Sequence, residues 1–214
     1  MIPVTDINAA INRTVALHQA GRQADALDLA EEVVRLAPDE FRAWNNLGNM
    51  YTGYNRWAEA TEAYKRALVL KPQSKHPNLN LGIVLHEAGD TVAGEKVITD
   101  ALVAHPGDTL LRWNRALLRL STENFAEGWE DYESRWDGAK ELPFTKRPHK
   151  QPRWNGTPSE CVVLVWAEQG AGDEIIYSDM LNSMIAQQSR IIFECSYRLA
   201  ALFQRTWPDI VIVP

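Results

Sequence analysis

The chain has 214 residues, of which 45% are hydrophobic and 23% charged, a composition that excludes disordered and fibrous classes and suits one large or two small folded domains. A formal charge of -6 excludes a general nucleic-acid binder, because such proteins need a basic face to displace counterions from phosphates. Met1 to Ala10 lacks a basic start and an apolar core of about 7–15 residues, and no apolar run is long enough to span a bilayer. Neither a secretory signal nor a membrane span is expected, and the cytoplasm is the expected compartment.

In chain order the first feature is helical periodicity broken by Pro38, Pro72 and Pro106, which are 34 residues apart each time. A fixed period of this size marks stacked helix pairs. The second period, 41–74, carries Trp44, Leu47, Gly48, Tyr51, Ala60, Tyr64, Ala67 and Pro72. Gly48 and Ala60 are small where two helices must cross closely, and the aromatic and Leu side chains fill the space around that crossing. The first period, 7–40, keeps Leu17, Ala26, Ala30 and Pro38, with Gly21 at the inter-helix turn, and is degenerate at its start. The third, 75–108, keeps Leu81, Gly82, Leu85, Gly94, Ala101 and Pro106, with Gly89 at the turn. A fourth, 109–136, keeps Ala116, Gly128 and Tyr132 but has no closing proline. Its Trp129, Tyr132 and Trp136 fall at i, i+3 and i+7, so one helix face is expected to carry all three and to pack against the next part of the chain.

From 137 to 160 the periodicity stops. Pro143, Pro148, Pro152, Gly156 and Pro158 mark a connector, and its basic residues Lys146, Arg147, Lys150 and Arg153 read as a solvated linker, with contact to an anionic partner such as a phosphate as the alternative. A strand is expected over 161–167, a glycine-bearing turn over 168–173, a helix from Glu174 to about Gln187, a strand over 190–195, a helix capped by Ser196 and running to about Trp207, and a strand over 210–213. Strands alternating with helices of this length predict βαβαβ units and a parallel sheet. Cys161 and Cys195, at the margins of apolar strands, read as small buried hydrophobes and not as a disulfide pair.

One slot of the first helix in each pair is asparagine four times over: Asn12, Asn46, Asn80 and Asn114. An amide carries a donor and an acceptor and can bond to a peptide backbone whatever the side chains are; it can equally bond to the neighbouring repeat and hold the pitch of the array. Asn45, Asn49, His86 and Trp113 flank this row. In the 161–214 segment, the turn Glu168, Gln169, Gly170, Ala171, Gly172, Asp173 precedes a helix start, where free N–H groups gather. A dinucleotide fingerprint would need a third glycine where Ile175 stands. No cofactor and no metal are expected.

The second period fills every slot of the W-x2-L-G-x2-Y, A-x3-F, A, P pattern, with Tyr64 in the Phe slot, and so resembles the tetratricopeptide repeat (TPR) family. That resemblance implies a superhelix whose concave wall is lined by the first helix of each pair, with the asparagine slot pointing into a groove that holds a protein or peptide; the row is similar to the ladder of O-GlcNAc transferase. The stretches EGWEDYESRW from Glu127, Pro152 to Gly156, and VLVWAEQGAGDEIIYSDML resemble bacterial proteins in which TPR repeats precede a heptosyltransferase-like GT-B glycosyltransferase domain. This implies that Asp173 is a catalytic base acting on an acceptor hydroxyl, alongside its alternative role as a helix N-cap; Glu168 and Gln169 match the same stretch without an assignable role. The organisation expected is therefore a TPR domain over 5–136, a connector over 137–160 and a partial Rossmann-like α/β fragment over 161–214. The expected function is peptide binding. The rival is sugar transfer from a nucleotide-sugar donor to a glycan or protein acceptor; because a GT-B enzyme holds the donor in a second domain, the chain alone is expected to be inactive.

Overall fold

Eight helices in four antiparallel pairs fill the first of two units, Met1–Ala139. They are α1 (Ile7–Gln19) with α2 (Gln23–Leu36), α3 (Phe41–Gly53) with α4 (Trp57–Leu70), α5 (Lys75–Glu87) with α6 (Thr91–Ala104), and α7 (Thr109–Ser121) with α8 (Phe125–Tyr132), followed by a short α9 (Arg135–Gly138). This computed structural model describes residues 6–138, 149–167, 170–187 and 190–214.

Each pair turns on a residue in the left-handed region, at Gly21 (φ 75°), Asn55 (φ 57°), Gly89 (φ 92°) and Glu123 (φ 62°), again 34 residues apart. The next N–H then reaches back to a carbonyl five residues earlier: Arg22 to Leu17 at 2.9 Å, Arg56 to Tyr51 at 3.0 Å, Asp90 to Leu85 at 2.8 Å and Asn124 to Arg119 at 2.9 Å. This closes the first helix of the pair in a Schellman-type cap. Glycine and asparagine adopt that conformation at little cost; Glu123 does not.

The helices of a pair cross at small residues. A Cβ on Gly48 would stand 2.5 Å from the Tyr64 ring, one on Gly82 would stand 2.5 Å from Ile98, and one on Gly94 would stand 2.5 Å from the carbonyl oxygen of Gly82. Ala26 and Ala60, in the slot of Gly94, are fully buried. Successive repeats are joined through the slot of Trp44. Its indole N–H donates to the Pro38 carbonyl (2.8 Å), the Asn78 amide to Pro72 (3.0 Å), and the Arg112 guanidinium to Pro106 (3.2 Å). Three different donors thus satisfy the carbonyl of each helix-breaking proline.

First helices touch one another, α1 with α3, α3 with α5 and α5 with α7, whereas α2, α4, α6 and α8 have at most marginal contact among themselves. The array therefore curves with its first helices inside, as in a superhelix.

The fourth pair departs from expectation. The helix that should carry Trp129, Tyr132 and Trp136 on one face stops at Tyr132; the Ser134 hydroxyl donates to the Asp131 carbonyl (2.6 Å) and α9 starts afresh at Arg135. Trp129 and Tyr132 meet edge to face at 5.4 Å, while the Arg135 guanidinium lies over Tyr132 (4.8 Å) and Trp136 (4.2 Å). Asp131 is buried and held by Arg115 (2.7 and 3.0 Å) and Arg119 (2.8 Å), and Arg119 also binds Glu95 of the preceding repeat (2.7 Å). Arg115 and Asp131 stand here where the second and third repeats have Leu47 with Ala63 and Leu81 with Val97.

The second unit, Lys140–Pro214, holds β1 (Val163–Trp166), α10 (Ala171–Ser178), α11 (Met180–Gln187), β2 (Ile191–Glu194), α12 (Tyr197–Thr206) and β3 (Val211–Val213). The strands are parallel in the order β1-β2-β3, with Val165 opposite Phe193 and Phe193 opposite Ile212. Those three, with Ile191, form one face against Leu181 of α11 and Phe203 of α12. The helix expected over 174–187 is split at Asp179, the C-cap of α10. Both cysteines are free; Cys195 is buried as expected, but Cys161 is exposed, because β1 begins two residues after it.

Two substitutions test this geometry. Gly94→Ala forces a methyl against backbone that cannot swing away, and should lower stability by about 2–3 kcal/mol. Glu123→Gly relieves a left-handed residue and should raise it by about 1 kcal/mol. Urea unfolding followed by far-UV circular dichroism reads both.

Candidate functional site

On the inner row, the asparagines of the second and third repeats form one network. The Asn80 amide group donates both to Asn45 Oδ1 (3.2 Å) and to Asn49 Oδ1 (2.9 Å), bridging α3 and α5. Asn49 Oδ1 also accepts the phenolic O–H of Tyr64 (2.8 Å). Tyr64 is buried beneath α3 against Gly48, and its oxygen lies 3.1 Å from Thr52 Oγ1, which donates to the Gly48 carbonyl at 2.9 Å. Burial pushes the Tyr64 phenol up to about 12, partly offset by its hydrogen bond with Thr52.

These bonds set the orientation of each amide. Asn49 points its oxygen at both Tyr64 and Asn80, so its NH2 group is left over. Asn80 spends its NH2, leaving its oxygen. Asn45 spends its oxygen, leaving its NH2. None of the three leftover atoms is a buried group without a partner, and all three residues are partly exposed. The cluster therefore presents two donors and one acceptor, the complement of a peptide backbone.

The remaining residues of the row differ from one another. Asn12 is exposed and Asn46 partly so, and among the described residues neither makes a side-chain hydrogen bond. Asn114 is buried, and its amide donates to the Leu110 carbonyl one turn back in the same helix (2.8 Å). Its direct neighbours are core residues such as the fully buried Leu111. His86 is tied to Thr91 at the turn between α5 and α6 (2.8 Å). Trp113 is half-buried, with an indole N–H that lacks an acceptor among the described residues. Arg42, one helical turn before Asn46 on α3, is bound by Glu40 (3.0 Å) and by Asn8 of the preceding repeat. The ion pair holds Glu40 below its usual range and raises Arg42. In the sequence Tyr64 reads as filler of the helix crossing; its hydroxyl is the functional group that such a reading misses, and tyrosine in a phenylalanine slot is the signal that marks it.

In the second unit Asp173 is partly exposed in the first turn of α10, and the N-cap is Gly170, not Asp173. The capping role expected of Asp173 is thus corrected: the helix starts at Ala171, three residues before the expected Glu174. Neither Gly170 nor Gly172 has a left-handed backbone or a neighbour that a Cβ would meet. The buried carboxylate here belongs to Glu174, which accepts the Ser196 N–H at the end of β2 (2.8 Å) and so ties α10 to α12. Burial, with the charges of Glu174 and Glu194 behind it, pushes the Cys195 thiol up. Glu168 and Gln169 lie outside the described residues, as do Lys146 and Arg147. Among the described residues no cluster of His, Cys, Asp or Glu could hold a metal, and no helix is long and apolar enough to cross a membrane.

The helix pairs, their glycine crossings and their inner row define a tetratricopeptide-repeat array, and residues 41–74 match the tetratricopeptide repeat family. Protein FlbA of Caulobacter vibrioides is 26% identical over 216 residues, which cover 97% of this chain and 36% of that protein. The peroxisomal targeting signal receptor of Saccharomyces cerevisiae is 39% identical over 57 residues, covering 27% of this chain and 9% of the receptor. The chain thus spans about a third of the length of FlbA and less of the receptor. Among solved structures, a thermophilic TPR protein of Thermus thermophilus superposes with a TM-score of 0.58 at 20% identity, over 64% of this chain and 77% of that one.

The buried phenol supplies a pH test. Folded Tyr64 keeps its proton to about pH 12 while the unfolded chain loses it near 10, so its contribution to stability is intact below about pH 10 and lost as pH rises towards 12, by about 2–3 kcal/mol. Tyr51, raised by burial and by its bond to Glu31, acts in the same direction. Comparing unfolding of the native chain with Tyr64→Phe across that range isolates Tyr64, and the variant should lose most of the decline.

Proposed function

We propose that the first unit holds an extended segment of another polypeptide along the inner row of helices, with Asn45, Asn49 and Asn80 bonding to its backbone. The observation that carries this reading is the amide network, which leaves two donors and one acceptor unspent at the junction of two repeats. Unspent polar atoms of fixed orientation bind at low entropic cost, since nothing need be ordered on the protein side. Asn12 and Asn46 extend the row of available amides, whereas Asn114 acts through packing because its amide is already committed. A relative named as a receptor for a targeting signal favours a polypeptide as the occupant. The cytoplasm suits a chain whose two thiols are both free.

A second reading concerns the α/β unit, which we take as the beginning of a glycosyltransferase-like domain with Asp173 as the base that would deprotonate an acceptor hydroxyl. What favours it is position: Asp173 follows β1 at the carboxyl end of a parallel strand, the edge at which α/β sheets bind ligands. The similarity to FlbA extends over 97% of this chain and so over both units.

For the binding function, acetylated and amidated nonapeptides passed over the immobilised chain should be retained, and Asn49→Ala or Asn80→Ala should weaken the retained peptides about tenfold each, the worth of one or two backbone hydrogen bonds. Equal affinity in both variants places the site elsewhere. For the second reading, incubation with a nucleotide-linked hexose and these peptides should leave the peptide mass unchanged, because a GT-B enzyme holds the donor in a second domain; an increment of one hexose that Asp173→Asn abolishes would instead make transfer an activity of these 214 residues.

A further inference from the structure

Two rows of the inner surface, read across the four repeats, carry no charged residue. One is Asn12, Asn46, Asn80 and Asn114; the other, three positions further along each helix, is Val15, Asn49, Ile83 and Leu117. In the second row Asn49 is the one polar member. Val15 and Leu117 are exposed at 37% and 38%, and Ile83 is half-buried. Apolar side chains kept at the surface in a regular row, with polar amides beside them, favour an occupant of the same character. Arg42, one helical turn before Asn46 on α3, is paired with Glu40 and bound to Asn8, so its charge is already engaged.

The amides are also unequal. Only at the junction of the second and third repeats do three of them lock together, because only there does a tyrosine hydroxyl rise from below. The equivalent residues of the other repeats are Ala30, Ile98 and Tyr132. Ala30 and Ile98 have no hydroxyl, and Tyr132 lies beside the buried charges of the fourth repeat, where its counterpart of Asn49 is Leu117. The row is thus one anchored backbone reader flanked by apolar contacts, and not four equal rungs.

We infer that the occupant is an extended, uncharged peptide segment with apolar side chains on both sides of a single backbone anchor, and that Tyr64 is the positioning residue that fixes this anchor through Asn49. The inference rests on the peptide-binding reading and narrows it. Tyr64 touches no ligand. Its O–H holds Asn49 Oδ1, which forces the Asn49 NH2 outwards and aligns Asn80 and Asn45 in turn. Without that hydroxyl Asn49 can rotate its amide end for end, and the two-donor, one-acceptor pattern is no longer fixed before binding.

The test uses three libraries of acetylated, amidated nonapeptides: one built from Leu, Val, Ala, Thr and Ser, one with Glu in place of Leu and Val, and one with Lys in their place. Retention should be confined to the neutral library. The best sequences should change affinity less than about twofold between low and high salt, because no ion pairs are formed. A scan of single backbone N-methylations should find one amide whose methylation weakens binding about tenfold in the native chain. Tyr64→Phe should weaken the unmethylated peptide about fivefold and make that same methylation nearly silent, a coupling that loss of stability alone does not produce.

Asn49-dependent retention of the Glu or Lys library would overturn the inference while leaving peptide binding intact. So would Tyr64→Phe binding with native affinity and an unchanged methylation profile. Retention of none of the libraries would overturn both readings. If the chain self-associates and Asn49→Ala dissociates it, the occupant is a second copy and the inference fails.

Discussion

The closeness of two helices at Gly48 governs what the array can do. With a Cβ there, the Tyr64 ring could not lie where it does, since 2.5 Å is inside van der Waals contact. With hydrogen, the ring slides under α3 and its hydroxyl emerges on the far side, between Thr52 and Asn49. The same constraint recurs at Gly82, where the Ile98 side chain takes the place of the ring, and at Gly94, where the Gly82 carbonyl does. Because each pair is this tight, consecutive first helices come within reach of one another, and an asparagine on α3 can bond one on α5. A packing requirement in the core thereby becomes a pattern of donors and acceptors on the surface.

Much of this architecture is legible in the sequence, because the period and the small residues are direct consequences of stacking. Pro38, Pro72 and Pro106 mark the repeats, Gly48 and Gly94 mark the crossings, and the alternation after residue 160 marks a parallel sheet. Other features depend on information that no single position carries. Gly21 and Gly89 announce left-handed turns, but Asn55 and Glu123 adopt the same conformation because the 34-residue frame imposes it, and glutamate has no preference that would reveal this. The break after Tyr132 follows from Asp131 being drawn inwards by Arg115 and Arg119, a tertiary effect that an i, i+3, i+7 count cannot register. At Asp179 and Asp173 the local rules misplace helix ends by a few residues, the scale on which capping competes with neighbouring turns.

For the site, the sequence shows that asparagine recurs but not that its members differ. Asn80 is a bridge, Asn114 is bonded to its own helix, and Asn12 stands free of bonds to its neighbours. Asn45 and Asn49, which the sequence marks only as flanking candidates, belong to the same network as Asn80. In the second unit the buried acid is Glu174, one residue after the aspartate that the family resemblance singles out, and its bond to the Ser196 N–H makes it a structural tie at the carboxyl ends of β1 and β2. That tie leaves Asp173 the more exposed of the two neighbours.

Recognition at this surface depends on the amides of Asn49 and Asn80 being fixed in opposite senses before any ligand arrives. Side-chain amide hydrogen exchange, measured by nuclear magnetic resonance on the free chain, reads this directly. Both NH2 hydrogens of Asn80 are bonded and should exchange slowly, whereas those of Asn49 face solvent and should exchange at rates close to those of an unstructured asparagine; in Tyr64→Phe the difference should shrink. Fast exchange at Asn80 with protection at Asn49, or equal rates at the two in the native chain, would contradict the account.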